Sequence, residues 1–256
     1  MENGVRLRDW TFRPVSGALE LALMAVVEEA SNTPQAVTRA LYLALDRLAG
    51  EVATPERVAD LCVADRQFLM RELDRHLGCE GGWFQADCAD CGARFDFHID
   101  YAHLPVQEAR ESYPHARVDL DGRRLRFRLP TGADQEILAN LPDAEARSWL
   151  LRQLALEPEA LGTPNEAIIA GVEAALDAVS PGVVLRVQTV CPECGAGNLA
   201  DLDPYHALSI HSDDLLMEVH QIAVHYHWSE TEILNLPRRR RQRYLQIIDR
   251  AHGMMV

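Results

Sequence analysis

Residues 83–101, WFQADCADCGARFDFHIDY, and residues 183–203, VVLRVQTVCPECGAGNLADLD, decide the fold. Each holds a CxxC pair followed by glycine, Cys88-Ala89-Asp90-Cys91-Gly92 and Cys191-Pro192-Glu193-Cys194-Gly195, between segments whose polar and apolar residues alternate. Alternation with a period of two puts one face of a strand on a core and the other in water, so each stretch reads as a hairpin with the cysteines in its turn. A two-residue spacer lets both sulfurs converge on one ion while the amides of the tight turn point at the thiolates, and the glycine takes up the positive φ that the turn needs. Two such knuckles supply four thiolates, a closed tetrahedral shell without an open position. Cys88, Cys91, Cys191 and Cys194 are therefore the expected ligands of a structural metal ion, zinc by default, with mononuclear iron admitted by the same ligand set. A thioredoxin-type redox pair is the rival for a single CxxC, but it wants a helix after the first cysteine and needs no second copy. Cys62 and Cys79 have no partner at ligand spacing and read as buried small apolar residues.

Working outward, the ion is expected to staple two hairpins whose nearest cysteines, Cys91 and Cys191, lie far apart in the chain and enclose a large insertion. That insertion carries a hairpin over 115–130, where Asp121-Gly122 turns between alternating flanks, and helices within 143–179. The second of these helices is opened by a capping box at Thr163-Pro164-Asn165-Glu166. Residues 1–80 read as a helical region: Ser16 caps the first helix, Thr33-Pro34 and Thr54-Pro55 open two more, and Asp65 caps a fourth that stops at Gly78. Residues 206–256 return to helical periodicity, with a capping box at Ser229 and Glu232 and a last helix opened by Pro237. The fold class is thus α+β: an N-terminal helical region (1–80), a four-cysteine zinc-ribbon-like β unit with its insertion (81–205), and a C-terminal helical tail (206–256).

Composition narrows the function. At 48% hydrophobic and 25% charged residues, the chain has the balance of an ordinary folded protein. No apolar run approaches the roughly 18–20 residues that span a bilayer, and the start, MENGVRLRDWTFRP, has no apolar stretch behind its charges, so neither secretion nor membrane insertion is expected. A net charge of −14 repels a phosphate backbone and disfavours nucleic acid as a general partner. The basic residues are all arginine, and residues 236–256 hold six of them against one Asp, an asymmetry that suggests docking on an acidic surface. No phosphate-cradling glycine loop, HExxH or GxSxG is present, and no catalytic role is expected. His220, His225 and His227 do not share a helical face, so a metal site there would require the helix to end at His225.

Three stretches carry a family resemblance: VADLCVADRQFLMRELDRHLG (58–78), WFQADCADCGARFDFHIDY (83–101) and DGRRLRFRLPTGADQEIL (121–138). Over roughly residues 12–205 the chain resembles the baseplate hub subunit and hub assembly chaperone family of T-even-type contractile-tailed phages and related contractile injection systems. The tail LLMEVHQIAVHYHWSETEILNLPRRRRQRYLQII (215–248) is similar to a short helical segment that accompanies baseplate genes. The resemblance implies a non-enzymatic structural or assembly protein that binds other baseplate or tail proteins, in the cytoplasm of a bacterial host or producer cell or within the tail particle. The expected docking surface is the apolar face of Leu215, Leu216, Val219, Ile222 and Tyr226 with Trp228 beside it, rimmed by Arg238, Arg239, Arg240 and Arg241. The alternative is a zinc-ribbon nucleic-acid-binding or regulatory protein. Nothing in the sequence indicates an oligomeric state.

Overall fold

A computed structural model describes residues 9–120, 122–162, 165–209 and 212–253. The chain is α+β, half helical, with small antiparallel sheets. Its head contains helices α1 (Gly17–Glu29), α2 (Thr33–Ala44), α3 (Pro55–Ala59) and α4 (Val63–His76). Leu23, Leu41, Leu69 and Leu73 of these helices are buried together. The head is not purely helical, as the sequence pattern suggested. Strands β1 (Trp10–Phe12), β2 (Leu45–Leu48) and β3 (Glu51–Val52) form an antiparallel sheet at its edge. Leu41, Leu45 and Leu48 repeat at helical spacing, but α2 stops at Ala44, and the positive φ of Ala49 and Gly50 folds β3 back on β2.

Helix starts follow the capping chemistry with two corrections. Ser16 and Thr54 accept from the amides of Leu19 and Arg57 as expected, but α2 is capped by Asn32, whose side chain accepts from Gln35 N at 3.0 Å, and Thr33 lies inside the helix. Asp65 is not a cap either. It sits in the first turn of α4, buried, and accepts a 3.0 Å hydrogen bond from the Tyr113 hydroxyl. Gly78 ends α4 with φ +94, the left-handed stop that the sequence indicates.

The two cysteine hairpins are β4 (Gly81–Asp87) with β5 (Arg94–Asp100), and, much later, β10 (Arg186–Val190) with β11 (Gly197–Asp201). Between them come β6 (Val106–Gln107), the hairpin β7 (His115–Leu120) and β8 (Arg123–Arg128), then α5 (Gly132–Leu138), α6 (Asp143–Leu154), α7 (Glu166–Val179) and β9 (Gly182–Val183), which pairs with β6. Alternation along β8 turns Leu125 and Phe127 inward against Leu151 and Leu154 of α6 and Val172 and Leu176 of α7, while Arg124 and Arg126 face out to Asp119 and Glu157. Asp121, Thr163 and Pro164 lie outside the described residues; Asn165 caps α7, accepting from Ile168 N at 2.9 Å.

This insertion meets the head beside a buried arginine. Arg66 of α4, fully buried, donates to Thr38 Oγ1 (2.8 Å), Val58 O (3.1 Å) and Pro34 O (2.7 Å). Pro130 O accepts from Val63 N and Gly132 N donates to Leu61 O, so the start of α5 lies against the start of α4. Gly132 leaves no room for a side chain, since an added Cβ would overlap the Arg66 guanidinium.

The C-terminal helices α8 (Ser212–Tyr226), α9 (Glu230–Leu234) and α10 (Arg238–Ala251) pack on one another and on α1. Leu215, Val219 and Ile222 are buried against Ile233, Leu234, Leu245 and Ile248, with Met24 of α1 and Tyr226, Trp228 and Tyr244 at the margin. Arg241 is fully buried, 2.5 Å from Glu20 of α1 and 3.1 Å from Glu218 of α8; Arg238 stands 3.6 Å from Glu20. Desolvation raises the Glu20 pKa in spite of both arginines, which shows how far this carboxylate has been taken out of water.

Two predictions follow from these joints. Gly132→Ala is expected to lower unfolding free energy by about 1–3 kcal/mol through overpacking against Arg66, whereas Gly171→Ala in α7, where an added Cβ meets nothing within 4 Å, is expected to raise it by about 0.5–1 kcal/mol; urea titration of both variants measures the opposite signs. Arg241→Ala leaves Glu20 and Glu218 facing each other without their shared cation and is expected to cost about 3–5 kcal/mol, read as an earlier midpoint in the same titration.

Candidate metal centre

The two cysteine turns are built alike. In each hairpin six residues separate the last paired positions, Asp87↔Arg94 and Val190↔Gly197. In the first, Cys88 N donates to Ala93 O and Gly92 N to Cys88 O, both at 2.9 Å; in the second, Cys191 N donates to Ala196 O and Gly195 N to Cys191 O, again at 2.9 Å. Gly92 and Gly195 take φ of +71 and +76, which frees the glycine amide to close the turn. Amides of Asp90 and Cys91 then donate to the Cys88 sulfur, that of Ala93 to Cys91, and that of Ala196 to Cys194.

These turns bring all four sulfurs within 4.8 Å of one another. Cys88 Sγ is 3.6 Å from Cys194 Sγ, and Cys91 Sγ is 3.8 Å from Cys191 Sγ. Tetrahedral coordination with metal–sulfur bonds of about 2.3 Å sets the sulfurs about 3.8 Å apart, which these two separations match, and the others lie within 4.8 Å, so the four cysteines could hold a metal ion. The first cysteine of each knuckle, Cys88 and Cys191, is buried with Phe95, Phe97, Ala200 and Leu202, whereas Cys91 and Cys194 face the surface.

Protonation follows the same crowding. The Cys91 amide, helped by that of Asp90 and by Asn198, holds the Cys88 thiol down at about 6. At Cys194 the Ala196 amide pulls the other way, but the neighbouring Cys91 and Cys88 sulfurs push the thiol up to about 12. Four thiolates cannot share this space without a cation to neutralise them, and a bound ion removes the conflict.

Asn198 belongs to the site, although its residue type carried no ligand signal. Its side chain, almost fully buried, accepts from Ala89 N at 2.9 Å and donates to Ala196 O at 2.9 Å and to Cys88 Sγ at 3.6 Å, linking one knuckle to the other. It stands four residues after Cys194 at the inward position where the first hairpin has Phe95. A polar residue on the inward side of an otherwise apolar strand is the signal that marks it.

The other candidates fare differently. The expected docking face is largely occupied by the chain itself: Leu215, Val219 and Ile222 are core residues, Tyr226 and Trp228 stack with ring centroids 5.1 Å apart at its margin, and Arg241 is buried in its ion pairs. Leu216 stays exposed, as do Arg238, Arg239 and Arg240, the last over the Tyr244 ring. His220 and His227 do not join a cluster with His225, which instead meets His252, with Nε2 atoms 3.3 Å apart. Cys62 is buried as expected, which pushes its thiol up to about 12. Cys79 is not an apolar core residue: it is only half-buried, and its sulfur lies within 4.8 Å of the Asp74 carboxylate and the His206 ring.

No family model, curated protein or solved structure matches the chain. Among the described residues no helix is long and apolar enough to cross a membrane.

Metal-loaded protein is expected to alkylate slowly at Cys91 and Cys194 in spite of their exposure, and quickly once a chelator has removed the ion. Asn198→Leu, which deletes the link between the knuckles, is expected to shorten the chelator-dependent lag by about 10–100-fold. Equal lags in the two proteins would leave Asn198 a packing role only.

Proposed function

We propose that the chain is a non-enzymatic structural or assembly protein of a contractile tail or injection-system baseplate, held rigid by a structural zinc ion and acting by binding other tail proteins. The observation that carries this reading is the set of four converging cysteines: with four thiolates the shell is complete, and no position remains for water or substrate. Zinc is the ion best suited to it, because a tetrahedral all-sulfur shell imposes no cost on a d¹⁰ cation and the site needs no redox change. The baseplate part of the reading rests on the resemblance of residues 58–78, 83–101 and 121–138. Residues 58–78 and 121–138 meet at the joint of Arg66 and Gly132, and residues 83–101 form the first metal hairpin.

The inner face of α8 is spent on the core, so docking falls to surfaces that remain apolar and exposed. On α8 these are Leu216, Met217 and Val224, and on the ribbon Trp83, Val190 and Leu199, with Trp83 and Leu199 about 70% exposed. Trp83, edge-on to His98, also offers a stacking surface, which is the one feature favouring the nucleic-acid alternative. Against it, Arg124 and Arg126 are engaged by Asp119 and Glu157, and the chain is acidic overall.

Affinity capture from the producing cell, combined with metal analysis, tests the reading. The full chain is expected to carry one tightly held zinc and to retain tail proteins, and Met217→Asp with Val224→Asp to lose them while keeping the metal. Retention of nucleic acid that falls steeply with salt, in place of tail proteins, overturns it.

A further inference from the structure

A second group of metal-binding atoms lies away from the four cysteines. Asp74, Cys79 and His206 bring a carboxylate oxygen, a sulfur and an imidazole nitrogen within 4.8 Å of one another. The chain places them by ordinary means. Asp74 is in the last turn of α4, and the left-handed stop at Gly78 turns the chain back so that Cys79 N donates to Asp74 O at 3.0 Å. His206 opens a short 3-10 turn (His206–Ser209) just beyond β11, with its Nδ1 2.8 Å from Asp74 Oδ2 and its ring 6.3 Å from that of Phe84. Asp74 is nearly fully buried and paired with His206, with the Cys79 sulfur and the Tyr101 hydroxyl beside it.

A polar network that only joined α4 to the ribbon would be complete with the carboxylate, the tyrosine and the histidine. Two features go beyond that. The first is the sulfur: Cys79 also reaches Gly81 O at 3.4 Å, so Asp74 is not its sole partner and it is not needed to satisfy the carboxylate. The second is where the three groups look. They line a cavity of about 660 Å³ whose other walls carry the carboxylates of Glu20, Glu80, Asp214 and Glu218; Arg238 and Arg241 meet Glu20 and Glu218, and Arg75 stands 3.5 Å from Glu80, which leaves an acidic excess. Acidic walls with low-dielectric backing raise the local concentration of cations. Interior structural networks do not open onto such a space.

We propose that Asp74, Cys79 and His206 form a second site, for a divalent transition ion. One nitrogen, one oxygen and one sulfur donor select a borderline cation, zinc before all, over magnesium or calcium, which prefer all-oxygen shells. Ideal bond lengths of about 2.0–2.1 Å to nitrogen and oxygen set those atoms about 3.3 Å apart, so the His206–Asp74 pair needs to open by roughly half an ångström. The Tyr101 hydroxyl stands beside the carboxylate, where a neighbouring polar group orients a ligand. Entry of the ion displaces the Cys79 thiol proton and the proton shared by His206 and Asp74. Three protein ligands leave the fourth position to an exchangeable water facing the cavity. This geometry differs in kind from the closed four-sulfur shell, and the site stands whether or not the chain belongs to a baseplate.

The experiment is a cobalt and zinc titration of the full chain with the four-cysteine site loaded. A second equivalent is expected to bind, to exchange with a mild chelator that leaves the first in place, and, as cobalt, to add a thiolate charge-transfer band of about one quarter of the four-thiolate intensity. Cys79→Ser is expected to abolish that band, and His206→Ala to abolish the second equivalent, with the first retained in both. The exposed His225–His252 pair can also take up cobalt, but without sulfur it adds no charge-transfer band, so the band identifies the site. Saturation of the wild-type chain with no charge-transfer band beyond that of the first site, or an added band that survives Cys79→Ser, overturns the proposal. Wild-type stoichiometry and spectrum decide the matter even if a variant folds poorly.

Discussion

Four sulfurs drawn to one point from Cys88, Cys91, Cys191 and Cys194 are the constraint on which the arrangement of the chain depends. The closest cross-knuckle pairs are separated by 106 and 100 positions, so bringing the turns together closes a loop that holds a hairpin, three helices and a core of its own. Closing a loop of that length costs about 4–5 kcal/mol of chain entropy. The ribbon core set against it is small: apart from Cys88 and Cys191, only Phe95, Phe97, Ala200 and Leu202 are buried there. Burying those side chains gains a few kcal/mol, of the same order as the closure cost, and a structural metal on the four sulfurs would add on the order of 10–16 kcal/mol by the standard of small modules. The two cysteine hairpins thus sit between parts that have cores of their own.

Buried arginines stand where those parts meet, beside apolar contacts such as Cys62 in the insertion core and Met24 against the tail. Arg66 takes carbonyls from α2 and α3 and lies under Gly132, where the insertion meets the head. Arg241 spans Glu20 and Glu218, fixing the tail to the head. A planar guanidinium presents several donors in a fixed fork, so it specifies the angle at which three segments meet, which a leucine cannot do. The cost is desolvation, visible in the lowered pKa of Arg66 and the raised pKa of Glu20. Each joint trades stability for geometry.

Much of this was legible in the sequence where the signal was local. The hairpins, their cysteine turns, the caps at Ser16, Thr54 and Ser229, and the stop at Gly78 depend on residues within a few positions of one another, and the four-cysteine cluster is what two knuckles of that spacing produce. The β1–β3 sheet was not legible because Leu41, Leu45 and Leu48 carry a helical repeat, and only the turn at Ala49 and Gly50 breaks it. Asp65 was read as a cap because its type suits one, but Tyr113, 48 positions away, claims its carboxylate. Asn198 and the Asp74–Cys79–His206 group escaped for the same reason: their meaning lies in partners far along the chain, Asp74 being 132 positions from His206.

The tail shows how a charge premise can be met in part within one chain. Its arginine excess over an acidic remainder calls for docking on an acidic surface, and docking does occur, on Glu20 and Glu218 of the same chain. Charge asymmetry along one polypeptide fixes the sign of the complementary surface but not the molecule that carries it. Two of the six arginines, Arg238 and Arg241, are spent in this way, and Arg239, Arg240 and Arg243 stay on the surface. Burial of Leu215, Val219 and Ile222 follows from the same docking, because the ion pair and the apolar face lie on adjoining sides of α8 and close together. The opposite side of the helix carries Met217 and Val224, seven residues apart and both exposed. Two helical turns separate them, which puts them in line on the surface.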